Sequence, residues 1–111
     1  MKLLTKEIRT KLEANARKTE IEGEDDHRPV VKLFNPAGAA TWLLTEIEGD
    51  IAFGLCDLGL GSPELGSVSI TELEAIKGPL GIGIERDMYF TADTTISEYA
   101  AAARAAGSIA A

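Results

Sequence analysis

The fold is decided by residues 40–58, which read ATWLLTEIEGDIAFGLCDL. Two runs rich in apolar, β-branched and aromatic residues, 40–47 and 51–58, flank the turn sequence Glu48-Gly49-Asp50. Strand-forming runs separated by two or three turn residues are typical of a β-hairpin. The stretch therefore predicts two neighbouring antiparallel strands at the centre of the fold.

The register of this hairpin stays open at the level of sequence. A three-residue loop would place Ile47 opposite Ile51, whereas a two-residue Gly-Asp turn would place Glu48 opposite Ile51. In either register, alternate residues of the second strand share one face of the sheet. That face carries Ile51, Phe53, Leu55 and Asp57. Asp57 is therefore predicted to lie at the end of an apolar row.

Outward from the hairpin, the predicted order of elements is α-β-β-β-β-α-β-α. Thr5 caps a first helix that runs to about residue 15, and Gly107 ends the last helix. The other strands are predicted at 30–34, 65–70 and 82–90, and capping boxes at Thr71-x-x-Glu74 and Thr95-x-x-Glu98 begin the second and third helices. We predict an α+β fold, an antiparallel sheet of about five short strands with an N-terminal, a short middle and a C-terminal helix packed on it.

Composition limits the class of protein. The 111 residues suit one domain, 1–111, and the formal net charge is −7. The chain has one cysteine and no apolar run of membrane-spanning length, so we expect a soluble cytoplasmic protein without a disulfide framework. Five carboxylates stand between residues 20 and 26, and this density predicts an exposed acidic loop over 19–28.

Charge is divided unevenly along the chain. Residues 1–18 carry six basic and two acidic side chains, whereas the rest carries five basic and sixteen acidic ones. The acidic body favours a basic protein partner, or serves solubility alone. Nucleic-acid binding by the basic first helix is an alternative, but the helix has no aromatic residue for base stacking and the body would repel a polyanion. No membrane contact is predicted.

Four carboxylates in or beside the predicted sheet are candidate metal ligands: Asp57, Glu64, Glu85 and Asp87. Glu85 and Asp87 share a strand face, so they could hold Mg²⁺ together or divide acid and base roles. They could alternatively decorate a wet sheet face. Because no histidine pair or lysine completes a catalytic set, we assign no catalytic residue and expect no cofactor.

Arg86 interrupts an apolar row in the last strand, so it is predicted to form a buried ion pair with Asp57, with Glu64 as the second candidate partner. His27 is expected at the surface and Cys56 as a small buried hydrophobe. Trp42 is expected in the core. Nine of the eleven glycines lie between residues 38 and 83, where they are typical of bulges, tight turns and close backbone contacts.

Several strings carry a resemblance that extends over nearly the whole chain. They are VKLFNP (31–36), TWLL (41–44), AFGLCDLG (52–59), PELG (63–66) and IERD (84–87). In these strings the chain resembles a bacterial family known as domain of unknown function 2958. The resemblance implies a small accessory product of plasmids, phages and integrated elements, and it implies no activity and no functional residue.

These observations favour a small acidic, non-enzymatic accessory protein, with counter-defence through a protein partner as one such role. A metal-dependent enzyme acting on nucleotide or nucleic-acid phosphates through the four carboxylates is one alternative. A nucleic-acid-associated protein that docks by its basic first helix is the other. The partner-binding residues and the oligomeric state stay open.

Overall fold

A computed structural model describes residues 2–23 and 25–111. The helices are α1 (Lys6–Glu22), α2 (Ile70–Ala75) and α3 (Ile96–Ala106). The strands are β1 (Val31–Phe34), β2 (Thr41–Glu48), β3 (Ile51–Asp57), β4 (Glu64–Ser69) and β5 (Glu85–Arg86). The strands form one sheet in the order β4-β3-β2-β1-β5, and every pairing is antiparallel. The predicted α+β class, with its five strands and three helices, is confirmed.

The β2–β3 hairpin has the two-residue turn. Glu48 lies opposite Ile51, and Gly49 adopts a φ of 60° in the turn. A left-handed conformation of this kind suits glycine, and it matches the twist that tight hairpins require. The structure thus selects one of the two registers that the sequence allowed.

A β-bulge interrupts β2 between Leu44 and Glu46. Thr45 is buried there: its hydroxyl donates to the Phe53 carbonyl (3.2 Å), and its own carbonyl accepts from the Asn15 side chain of α1 (3.0 Å). Because the bulge inserts one residue, it reverses which face each later side chain occupies. Ile47 consequently enters the core, whereas Glu46 moves to the opposite face.

The sheet has a core on each face. On one face, the N-terminal segment, α1 and α2 cover the larger cluster, which includes Leu12, Leu33, Trp42, Leu44, Ile47 and Leu73. On the other face, α3 covers a smaller cluster of Leu43, Leu55, Ile96, Ala100 and Ala103. Trp42 lies in the core, as predicted. The eleven-residue α3 is too short to cover the whole of its face.

The first helix and the last strand differ in length from the prediction. α1 continues past residue 15 to Glu22, because Asn15 uses its side chain in the contact with β2 and Gly23, at a φ of 85°, ends the helix. The predicted loop at 19–28 is therefore helical over its first four residues, and Glu24 lies outside the described residues. β5 has only two of the nine predicted residues, because Gly83 bridges to Lys77 rather than to β1 and a turn follows at Asp87–Phe90.

The second and third helices are not capped by the predicted capping boxes. α2 begins earlier, with the Ser69 hydroxyl accepting from the Glu72 amide (3.1 Å). Asp50 of the hairpin turn supports the same helix end, because its carboxylate accepts from the Thr71 amide and hydroxyl at 2.9 and 2.7 Å. The side chain of Thr95 does not cap α3. Its cap comes from a distant residue, as described below.

Candidate functional site

α3 covers only part of the sheet face on which it packs. α3 packs on Leu43 and Leu55, and the row continues beyond the helix with side chains that remain accessible. Phe53 is 37% exposed, Leu65 39% and Ile51 50%. The strand register puts these three residues on the face of Leu55, since Leu65 lies opposite Leu55 and the other two alternate with it along β3. The uncovered part of this face is therefore an apolar strip two strands wide.

This strip forms the floor of one open groove. Two depressions of about 490 and 690 Å³ share Thr19, Glu46 and Phe53, so they are continuous. We call their combined surface the acidic groove. Its walls come from the end of α1, the segment before β1, the bulged end of β2, strands β3 and β4, and the start of α3. It is lined by Ala16, Thr19, Glu20, Gly23, Asp25, Asp26, Glu46, Ile47, Glu48, Ile51, Phe53, Leu65, Ile96, Ser67 and Ser97.

The charge of the groove has one sign. Five of its lining residues are acidic, and none of the described lining residues is basic. Asp25 forms an ion pair with Lys18 at 3.3 Å. Within the described part of the chain, Glu20, Glu46 and Glu48 have no ion-pair partner. A concave surface lined by one sign of charge concentrates ligands of the opposite sign.

Asp26, at one end of the groove, caps α3. Its carboxylate accepts from the Ser97 amide at 3.0 Å and from the Ser97 hydroxyl at 2.5 Å. The Ser97 hydroxyl and then its amide lower the pKa of Asp26 below its usual 3.8. The carboxylate is thus anionic at neutral pH, where it also favours the positive end of the helix dipole.

His27 is buried beside this cap, so the expectation of a surface histidine was wrong. Its Nε2 hydrogen-bonds with the Thr19 hydroxyl at 2.8 Å, and its main-chain carbonyl accepts from the Ile96 amide at 2.8 Å. The neighbouring acidic segment is therefore more than a solvated linker. It joins the end of α1 to the start of α3 and holds one wall of the groove in place.

Asp57 and Arg86 do not form the predicted ion pair. Asp57 is 2% exposed on the α3 face, where it accepts from the Gly59 amide (2.8 Å) and the Ile109 amide (3.0 Å). Arg86 lies opposite Leu33 and therefore points to the other face, where its guanidinium donates to the Leu3 carbonyl at 2.5 Å. The prediction failed because the sheet separates the two side chains. Asp57 instead holds the segment that follows α3.

The other candidate metal ligands do not join Asp57 in one site. Glu64 begins β4 and Glu85 begins β5, which are the two edge strands of the sheet. Four strand spacings of about 4.8 Å separate these edges by roughly 19 Å. Asp87 follows β5, and its carboxylate lies 3.7 Å from the Lys32 ammonium and accepts from the Tyr89 amide at 2.9 Å. The four carboxylates are consequently dispersed over the molecule, and no described group of three or more acidic, histidine or cysteine residues could hold a metal ion.

Cys56 lies on the face opposite the groove. It is half-buried against the larger core, and burial raises the pKa of its thiol above the usual 9.0. A raised pKa leaves less thiolate at neutral pH, which suits the predicted role as a small apolar residue.

Sequence reasoning did not identify the groove. It placed Ile51 and Phe53 on one face, but alternation along β2 without the bulge would have put Glu46 on the opposite side of the sheet. The consecutive apolar residues Leu43 and Leu44 do not signal the bulge, because they lie on opposite faces of a sheet that has a core on each side.

Comparison with known proteins agrees with the strings noted above. No helix in the described ranges has both the length and the apolar character needed to cross a bilayer. Neither a curated protein nor a solved structure is significantly similar to the chain. A family described as a protein of unknown function (DUF2958) matches residues 3–110, nearly the full length. The chain therefore belongs to the DUF2958 family.

Proposed function

We propose that this protein is a non-enzymatic accessory protein whose acidic groove binds a basic segment of another protein. The observation that carries the proposal is the uncovered apolar strip of Phe53, Leu65 and Ile51, which lies among carboxylates with no basic side chain in the described lining. Interfaces commonly combine an apolar centre, often with an aromatic residue, and a polar rim.

The two parts of the groove have different tasks in this proposal. The carboxylates of Glu20, Glu46 and Glu48 attract lysine and arginine side chains and accelerate association. Burial of Phe53 and Leu65 supplies the affinity, since removing apolar area from water contributes about 25 cal/mol per Å². A fitting segment therefore carries both basic and apolar side chains.

The basic first helix is a weaker binding site for nucleic acid than its sequence suggests, because some of its cations already have partners within the protein. Arg9 donates to the Gly49 carbonyl at 2.8 Å, and Lys11 lies 3.5 Å from Glu7. Cations that already have partners within the protein gain less from phosphate contacts. In the mobile-element setting that the family resemblance implies, occupying a basic segment of a host protein would be an accessory or counter-defence role.

The test is a binding titration with a labelled peptide in which pairs of lysines alternate with pairs of valines, so that each face of the extended peptide carries both basic and apolar side chains. The protein is compared with a variant carrying Glu46→Lys and Glu48→Lys and with a control carrying Glu72→Lys and Glu85→Lys. Both variants change the net charge by the same amount, but only the first alters the groove, because Glu72 and Glu85 are exposed on α2 and β5. We expect the groove variant to bind at least ~10-fold more weakly and the control to bind within about 3-fold of the unchanged protein.

A second arm tests the apolar strip. Phe53→Thr keeps a strand-forming residue but removes the aromatic surface, and we expect it to weaken binding about 10-fold even at high salt. Equal binding by all variants, or equal binding of an uncharged serine-valine peptide, would refute the proposal.

A further inference from the structure

We propose that the basic segment is bound as an added β-strand at the free edge of β4. This inference rests on the proposed function and specifies its geometry. β4 is the outermost strand on its side, with β3 as its one partner in the described sheet. In an antiparallel sheet the main-chain polar groups of a strand alternate between its two neighbours. Some of those of Glu64–Val68 therefore point away from β3, and within the described residues they have no main-chain hydrogen bond outside the sheet, whereas Ser69 caps α2.

This edge has little of the usual protection against strand pairing: Glu64 is its one charged side chain, and Pro63 lies just before the strand rather than in it. Natural edges are shielded by lysine, proline, bulges or very short strands. β4 is six residues long and regularly paired, its sequence ELGSVS has no lysine or proline, and the bulge of this sheet lies in β2. The opposite edge, β5, is only two residues long. The contrast singles out β4 as the edge that is open to another strand.

The open edge borders the acidic groove. Leu65 and Ser67 belong to β4 and line the groove, so the groove-facing side of β4 forms its rim. Every second side chain of an added strand would lie on that side, next to these two residues. Apolar side chains of this row cover Leu65, and long basic ones extend over Phe53 toward the carboxylates of the groove. Main-chain pairing thus adds to the affinity that burial of Phe53 and Leu65 supplies, and the carboxylates of the groove supply selectivity.

Charge decides between a basic segment and a second copy of this chain. Two copies joined through β4 would bring together two grooves that are acidic and two chains of net charge −7. Like charges in such proximity oppose self-association, whereas a basic strand neutralises the carboxylates. The occupant of the edge is therefore a basic, strand-forming segment of a different protein.

The experiment uses the lysine-valine peptide and two isomers that are N-methylated at every odd or at every even position. Each isomer keeps all side chains but loses the N–H donors along one edge, because alternate amides point the same way. If the peptide pairs with β4, at least one isomer binds ~10-fold or more weakly than the parent, a loss of about 1.4 kcal/mol. Amide hydrogen exchange over Glu64–Ser69 also slows when the parent peptide binds.

The outcomes separate the two proposals. If the parent and both isomers bind equally and β4 exchange is unchanged, strand addition is refuted while groove binding stands. If the parent peptide does not bind, the proposed function fails and the inference fails with it. A dimer in sedimentation without peptide, with the β4 amides already protected, would assign the edge to a second copy and overturn the inference.

Discussion

Gly54 in the centre of β3 provides the sharpest test of the sheet geometry. A Cβ atom built on Gly54 would lie 2.0 Å from the Leu43 carbonyl oxygen and 2.8 Å from the Leu44 Cα, both main-chain atoms of β2. Contacts below 3.0 Å require something to move. Here a side-chain rotation gives no relief, because the obstacle is the paired strand itself. Gly54→Ala must therefore push apart the β2–β3 hairpin next to its bulge.

The expected loss can be estimated from known substitutions. Overpacking a core costs about 1–3 kcal/mol, and a main-chain obstacle puts Gly54→Ala at the upper end, about 3 kcal/mol. Replacing a strand glycine by alanine returns about 0.5–1 kcal/mol from the unfolded state. The net destabilisation is about 2 kcal/mol, which lowers the Tm by roughly 8 °C for a chain of this size.

Urea unfolding followed by tryptophan fluorescence measures this difference. Trp42 is the single tryptophan and is 4% exposed, so its emission reports on the core beside the hairpin. Gly66→Ala is the matched control: Gly66 lies directly opposite Gly54 on β4, and its Cβ would meet no atom within 4 Å. We expect the control to change the free energy of unfolding by no more than about 1 kcal/mol. If Gly54→Ala and Gly66→Ala are equally stable, the described close approach of the two strands is wrong.

Two further predictions concern the polar contacts. Arg86→Met and Asp57→Asn should each destabilise the protein by about 1–3 kcal/mol, because each weakens part-buried hydrogen bonds to the main chain. Their effects on the free energy of unfolding should add to within ~0.5 kcal/mol in a double-mutant cycle. A coupling energy above about 1 kcal/mol would show that Arg86 and Asp57 do interact as an ion pair. The serine and threonine hydroxyls that donate to Asp26 and Asp50 are the first cause of pKa values below the usual 3.8 for these two carboxylates. The stability that these hydrogen bonds give to the folded protein is therefore complete above pH 3.8, and it is lost as the pH falls through the folded-state pKa. Thermal unfolding between about pH 5 and pH 2 should show a flatter profile for the Asp26→Asn, Asp50→Asn double variant, and a profile parallel to that of the unchanged protein would contradict the two caps.

The alternation of apolar and polar residues along the chain was sufficient to predict the β2–β3 hairpin and the apolar row of β3. Asp57 lies at the buried end of that row, as alternation predicted. Its partner was predicted wrongly, because the face of Arg86 depends on which strand β5 joins. β5 pairs with β1, opposite Leu33, and this neighbour lies more than fifty residues away in the sequence.

The helix caps show the same limit. The sequence contains local capping boxes at Thr71 and Thr95, but α2 begins at Ser69 with support from Asp50, and α3 is capped by Asp26. A carboxylate from a distant turn makes the same hydrogen bonds as a local one. Which of them reaches the helix end is set by packing.

The sequence by itself determined the α+β class, the central antiparallel hairpin, the burial of Trp42 and the acidic character of the body, because these follow from residue periodicity and composition. The tertiary structure decided the rest. A bulge at Thr45 turned Glu46 toward Phe53, the short α3 left that part of the sheet face uncovered, and the strand order left β4 with a free edge. Periodicity assigns alternate residues to opposite faces, but only strand order and helix packing decide which face and which edge remain open to a partner.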